Sequence, residues 1–507
     1  MAAKETWDVV TGPRRLMALI ALATANFMVL LDMTVANVSV PHIAGNLGVS
    51  PSQGTWVITS YAVAEAICVP LTGWLAQRFG TLRSFTVGVI GFGIFSVLCG
   101  LSSSLMMLVV CRVFQGLCGG PLIPLTQTLL MRIFPPEKRG MAMGVWAMTT
   151  IMAPVTGPIV GGAIADNMSW HWIFFINVPV VLFCAVVPLT MLRAVETPTV
   201  KLPIDRVGLG LMILWIGALQ IMLDIGREHD WFADPKVIAL AVVAAVGLLA
   251  FVIWELTEEH PVVNLRVFRY RGFTVNAVTL GLGFSFYMAG IVVIPQWMQL
   301  SLGYTATQAG IATAFTGFAG LFVAWSVPRI ISKVDPRLIL SCAFIWIGGA
   351  TLLRSDWTSS MDFFHLSLPQ AVMGLGMPFM FITTTTVALS SVPPQLAASA
   401  AGLQNFMRII GMAASTSIAI TYWDNQARAA GSDLAGKLNG GPTQTTLAQA
   451  GLNADQARVF IAQLVDKEAL TLATDKVFMV AGLAMWAIAL FVWLAPRPKS
   501  LTASAGH

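Results

Sequence analysis

Charged side chains are what this sequence has least of. Asp, Glu, Lys and Arg make up 10% of its 507 residues, against about a quarter of a soluble globular chain. With 56% hydrophobic residues and a mean hydropathy of +0.77, the shortage excludes a water-soluble globular fold. Cysteine is also rare: Cys68, Cys99, Cys111, Cys118, Cys184 and Cys342 all lie in apolar runs, with neither a disulfide framework nor metal-ligand spacing, and read as small hydrophobes. No GxxxxGK[ST] loop occurs, which argues against an ATP-driven pump. No small-residue cleavage site closes the apolar run behind MAAKETWDVVTGPRR, so that run reads as a first membrane span rather than a removed signal peptide. The net charge of +5 does not indicate nucleic acid, because Lys and Arg sit singly or in small groups between apolar runs.

What is present is a succession of runs long enough to cross a hydrocarbon core of about 30 Å as helix. They fall near 16–38, 55–77, 83–101, 105–128, 140–164, 172–192, 206–224, 237–256, 273–298, 306–328, 337–353, 363–388, 398–423 and 477–495, which predicts an all-α polytopic membrane protein of fourteen spans. An even number places both termini on one side. Most Lys and Arg collect on that side, while the short loops opposite hold only Arg227, Lys236 and Arg354, so both termini are expected in the cytoplasm.

The loops GWLAQRFGTLR (73–83) and VPRIISKVDPRL (327–338) carry basic residues at similar offsets, hinting at a parallel repeat. If the seventh and eighth spans are an insertion, the rest divides six plus six, with a site between the halves near mid-membrane, as in secondary transporters. The expected domains are a tail over 1–15, a six-helix bundle over 16–193, two inserted helices with linkers over 194–271, a second bundle over 272–495, and a tail over 496–507. The second bundle includes a polar loop over 424–475 that contains an amphipathic helix with Asn453 as N-cap; it reads as a solvated cap or as a docking surface for a partner.

Two carboxylates stand well inside spans, Asp32 and Glu65. A charge at bilayer depth costs several kcal/mol, so it should face the bundle interior and have a partner. Arg112 is the candidate, because at about 1.5 Å per residue it and Asp32 both lie roughly 10 Å below the outer surface. The pair either fixes helix packing or couples transport to protons. Coupling is favoured because ion pairs are poor net stabilisers, and a change in hydration or pair distance can load and unload a proton. Glu65 lies deeper, as a second proton site or a counter-charge for a cationic substrate.

Span 5 carries APVTGPIVGGAIAD, with Ala153, Gly157, Gly161 and Ala165 at four-residue intervals; such a face admits close helix approach, and Pro154 and Pro158 bend the helix. In the loop after span 2, Gly73 and Gly80 permit a tight turn, while Arg78 and Arg83 snorkel, pair with helix ends or simply anchor the inside. Arg408, beside Gln404 and Asn405, lines the pathway or pairs locally. Asn276, Tyr287, Gln296 and Gln299 of span 9, and the run Thr383 to Thr386, are helix–helix glue or ligands.

These motifs together resemble those of the fourteen-span drug/proton antiporters of the major facilitator superfamily, and among them the EmrB-type exporters. LDMTVANVSVP is similar to the span 1 motif, GWLAQRFGTLR to the loop 2–3 motif, VVCRVFQGLCGGPLIP to the span 4 motif and APVTGPIVGGAIAD to the span 5 antiporter motif; QGTWVITSYAVAEAICVPLTGWLA, WIFFINVPV, LQIMLD and YTATQAG extend the likeness over most of the chain. One departure is Gln77, where much of the superfamily has Asp, which puts a charge relay at that loop in doubt.

The resemblance implies alternating access between two six-helix bundles, with export of hydrophobic or amphiphilic toxic compounds against inward proton flow. No cofactor is implied, and the chain is expected not to be an enzyme. Asp32 and Arg112 match motif positions tied to proton coupling, and Gly157, Pro158, Gly161 and Gly162 match the exporter motif. A Gram-negative inner membrane, a periplasmic adaptor protein and an outer-membrane channel are further implications. The alternative is a dedicated exporter of one lipid-like molecule such as a fatty acid or siderophore; a non-transporting scaffold or receptor fits buried ionisable groups poorly.

Overall fold

The computed structural model of the protein describes residues 6–201, 203–226, 229–438 and 453–496. Among the described residues every regular element is helical. The chain supplies its own helix starts: Ser104 and Asp362 accept backbone N–H groups of the first turn, and Thr305 and Asn453 do so within reciprocal capping boxes with Gln308 and Gln456.

The first group comprises α1 (Gly12–Leu47), α2 (Trp56–Cys68), α3 (Thr72–Phe79), α4 (Thr81–Gly100), α5 (Leu105–Gly119), α6 (Leu122–Ile133), α7 (Pro136–Asn167) and α8 (Asn177–Met191). Then come α9 (Arg206–Ile225) and α10 (Pro235–Thr257). The rest are α11 (Arg271–Leu302), α12 (Ala306–Ala324), α13 (Val327–Ile331), α14 (Pro336–Leu352), α15 (Phe363–Ser390), α16 (Ala397–Leu438) and α17 (Ala454–Phe491). Among the described residues, ten helical segments are long and apolar enough to cross a membrane, or eleven if α2 and α3, bent by 59°, form one span. α14 is shorter, at 17 residues, while α7 and α16 have ample length at 32 and 42 residues but are less apolar. Large apolar side chains cover the exterior, among them Phe322, Leu490 and Leu249. That surface suits lipid rather than water, and the protein is a multi-pass membrane protein.

α1 packs along α7 and α8, α2 along α5, and α4 along α5 and α8; separately, α11 packs on α16, α15 and α17, and α14 on α15 and α17. The two groups meet where α7 contacts α12, α13 and α15, and where α3 and α6 contact α16. α9 touches both groups: Thr59 of α2 donates to Asp224 at 2.7 Å, and Ser417 of α16 donates to the Leu223 carbonyl at 2.6 Å.

The expected loop over 424–475 is corrected by the structure. α16 runs on to Leu438 and α17 begins at Ala454, capped by Asn453 as anticipated, and 439–452 lies outside the described residues. Hydropathy marks where lipid ends, not where a helix ends. Past that point the two helices cover each other, with Trp423 donating to Thr474 at 2.8 Å and Ala457, Ile461, Val465 and Ala469 buried at four-residue intervals. α7 likewise continues without interruption over Pro154 and Pro158.

Candidate functional site

α1 brings Asp32 inward, and α5 carries Arg112 and Gln115 three residues apart on one helical face. Arg112 Nη1 donates to Asp32 Oδ2 at 2.6 Å and to Gln115 Oε1 at 2.9 Å, while its Nε donates to the Val57 carbonyl at 3.0 Å. Asp32 Oδ1 accepts from Gln115 Nε2 at 3.1 Å and from Asn177 Nδ2, at the start of α8, at 2.7 Å. Asn177 Nδ2 also donates to Ser96 Oγ, whose hydroxyl donates to the Phe174 carbonyl. The guanidinium lies 4.2 Å from the Tyr61 ring centroid. Both charged side chains are sealed, with 0% and 1% exposure for Arg112 and Asp32.

Such a pair persists away from water only because most of its polar valences are filled. One is not: Arg112 Nη2 has no hydrogen-bond partner. Neutralising Asp32 would therefore leave a buried guanidinium without its counter-ion, a state that favours rearrangement of the surrounding helices over tolerance. The arrangement can convert the binding or loss of one proton into helix movement.

Glycines bring the supporting helices together. A Cβ added at Gly116 would sit 2.5 Å from the Tyr61 carbonyl oxygen, and at Gly120 2.8 Å from that of Glu65, so α5 lies directly against the backbone of α2. Glu65 is buried on α2, with Arg408 of α16 and Arg112 as the opposite charges that act on it. Arg408 stands over Phe284 at 5.3 Å, and its Nε has no partner. Beside it, Asn405 Nδ2 donates to Gln127 Oε1 of α6 at 2.6 Å, a bond between the two helix groups, and buried Gln404 has neither amide atom hydrogen-bonded.

The antiporter motif forms the α1–α7 seam. A Cβ at Gly157 would fall 2.0 Å from Thr34 Oγ1 and 2.5 Å from Thr34 Cβ, and one at Gly161 3.1 Å from Val35 Cα, whereas Gly162 faces open space. Pro154 is half-buried, and the side chain of Pro158 lies outside the described residues. In the loop 2–3 motif, Gly73 abuts Ser399 of α16, and Gly80 adopts φ +94° with the Glu196 carboxylate 2.6 Å from where its Cβ would be. Glu196 accepts the Leu82 and Arg83 backbone N–H groups at 3.0 Å each, so the Arg83 main chain makes the contact while its side chain is exposed and that of Arg78 half-exposed.

The remaining candidates are scattered. Asn276 is buried and donates to Gly272 of its own helix at 2.8 Å, which spends its amide on local structure. Tyr287 is buried beside Phe284, while Gln296 is half-exposed and Gln299 exposed, donating to the Pro295 carbonyl. Sequence reasoning missed Gln115 and Asn177, which complete the Asp32 shell, and Ser96 and Tyr61, which contact Asn177 and Arg112 behind it. It also left Arg354 in a loop, whereas this residue is fully buried, bonded to Gln370 Oε1 at 2.9 Å and set over Phe478.

A helical bundle with a sealed charge cluster in its membrane interior defines a polytopic transporter. A sequence profile of the Major Facilitator Superfamily matches residues 22–416, and the chain belongs to that superfamily, in its EmrB-type branch. It is 42% identical to the multidrug export protein EmrB of Escherichia coli (strain K12), over 96% of each chain. It is 40% identical to the fatty acid resistance protein FarB of Neisseria gonorrhoeae, over 96% of this chain and 97% of that one. The human organic anion transporter MFSD10 has the same fold, with a TM-score of 0.55 at 13% identity, covering 94% of this chain and all of that one.

Proposed function

We propose that the protein exports hydrophobic or amphiphilic toxic compounds in exchange for protons. The observation that carries this reading is the sealed Asp32–Arg112 pair at 2.6 Å, with Gln115 and Asn177 completing the carboxylate shell. Asp32 is the proton-coupling residue, Arg112 its counter-ion, and Glu65 a second acid whose charge is opposed by Arg408 from the other helix group. The groups 16–193 and 272–495 are the two moving bodies, and α7, α14 and α16 complete a set of fourteen spans with both termini in the cytoplasm of an inner membrane. A periplasmic adaptor and an outer-membrane channel would carry the compound onward. Similarity to EmrB over almost the whole chain supports the multidrug assignment.

One proton entering down a potential of roughly 150 mV supplies about 3.5 kcal/mol, enough for a gradient of a few hundred-fold of a neutral compound, with no nucleotide or bound cofactor in the cycle. The test is substrate flux in liposomes under an imposed proton gradient. Asp32→Asn should fold and bind substrate but lose gradient-driven transport; full pumping by that variant would refute the assignment. The similarity to FarB supports a second reading, a dedicated fatty acid exporter. Flux of a fatty acid alone, with no transport of unrelated amphiphiles, would favour it.

A further inference from the structure

On the lipid-facing side of α12–α15, away from Asp32, Glu65 and their shell, lies a groove of about 510 Å³. Its wall runs from Val334 and Leu338 through Cys342 to Trp346, with Leu375 and Phe379 opposite. The one indole N–H in it, that of Trp346, is already donated to the Val372 carbonyl at 2.7 Å, so the groove offers an apolar surface only. Leu338 and Trp346 are on one helix about two turns apart, roughly 12 Å, against a leaflet thickness of about 15 Å. The groove is thus about one leaflet deep, and it opens at the end of the bundle that bears the short basic loops.

At the Val334–Leu338 end, Arg329 and Lys333 each immediately precede a lining residue, Ile330 and Val334, without lining the groove themselves. Both are exposed. Arg329 lies 4.9 Å from the Trp325 ring, and among the described residues neither cation is paired with a carboxylate. The neighbouring Arg337 differs, being bonded to Asp335 at 3.0 Å and set over Trp493. An apolar slot one leaflet deep beneath two uncommitted cations and an interfacial tryptophan matches a fatty chain carrying an anionic head, since basic pockets between spanning helices select acidic headgroups.

We propose that this groove binds an anionic phospholipid, its acyl chain lying along Leu338, Cys342 and Trp346 and its phosphate held by Arg329 and Lys333. A transported compound is a poorer fit, because the groove is lined only from α12–α15 and reaches none of the groups on α1, α2, α5 or α16 that the proposed transport cycle uses.

The full-length protein would be equilibrated with equimolar dioleoyl phosphatidylglycerol and dioleoyl phosphatidylcholine in mixed micelles, and retained lipid counted by native mass spectrometry. Two cations at the headgroup should give phosphatidylglycerol a preference of roughly thirtyfold at low salt. Arg329→Gln with Lys333→Gln, both exposed, should bring that ratio close to one without lowering the thermal midpoint in lipid-free detergent. Cys342→Trp, a filling change at an exposed groove position, should lower retention of both lipids. The proposal is overturned if the parent shows no preference, if the double Gln variant keeps it, if Cys342→Trp retains lipid undiminished, or if a hydrophobic export substrate displaces the lipid.

Discussion

The contact between Gly157 and Thr34 converts the antiporter motif into a quantitative expectation. Gly157→Ala would put a methyl carbon 2.5 Å from Thr34 Cβ, where carbon atoms need about 3.5 Å. Rotating the Thr34 hydroxyl relieves the 2.0 Å approach to Oγ1 but not the one to Cβ, so α1 and α7 must part by about 1 Å. Overpacking of this kind costs about 1–3 kcal/mol. Asp32 is two residues away on α1, and lengthening its 2.6 Å bond to Arg112 by the same amount takes it beyond hydrogen-bonding range of about 3.2 Å. A 1 Å misplacement of a working group can cost about a hundredfold in rate. Gly157→Ala should therefore lower both the thermal midpoint and proton-driven flux in liposomes, the flux by tenfold or more. Thr34→Gly alone should cost only about 0.3 kcal/mol of helix propensity. Combined, the two should recover most of the lost flux, with a coupling energy of about 1–3 kcal/mol in the double-mutant cycle. Parental flux and melting in Gly157→Ala, or a double variant no better than that single one, would refute the reasoning.

Further outcomes follow from the same geometry. Arg112→Lys should express and fold yet lose at least tenfold in flux, because an ammonium cannot reproduce the separate bonds to Asp32, Gln115 and the Val57 carbonyl; parental flux would contradict this. Asn405→Leu should remove the 2.6 Å bond to Gln127 between the helix groups at about 1–3 kcal/mol, read as faster proteolysis or labelling at the α6–α16 contact under turnover. Glu196→Gln should destabilise the start of α4 by about 0.5–2 kcal/mol, seen as a lower thermal midpoint, whereas Gln77→Asp should not rescue it, since among the described residues Gln77 contributes only its backbone carbonyl, to the Val200 N–H.

The central pairing was legible because α-helical rise turns sequence offset into depth: Asp32 and Arg112 lie at one level, and lipid gives a buried acid nowhere else to go. The small-residue face of α7 was legible for a related reason, as spacing by four fixes a stripe. The shell around the pair was not. Gln115 and Asn177 are uncharged amides, and nothing in a local pattern separates an amide that serves Asp32 from one that, like Asn276, turns back on its own helix. Glu196 was missed because its partners, Leu82 and Arg83, are more than a hundred residues earlier in the chain. Arg354 follows the end of its apolar run, so hydropathy assigned it to solvent, while the fold turns it inward onto Gln370.

The helix pair α9–α10 is fastened to α2 through Thr59–Asp224 and to α16 through Ser417–Leu223. A brace tied to both leaves of a hinge forbids them to separate along that edge unless one of the ties breaks. Under the two-body movement proposed above, the aperture would therefore gape on the opposite flank, and this helix pair would set the direction from which cargo is admitted as well as adding bulk to the bundle wall.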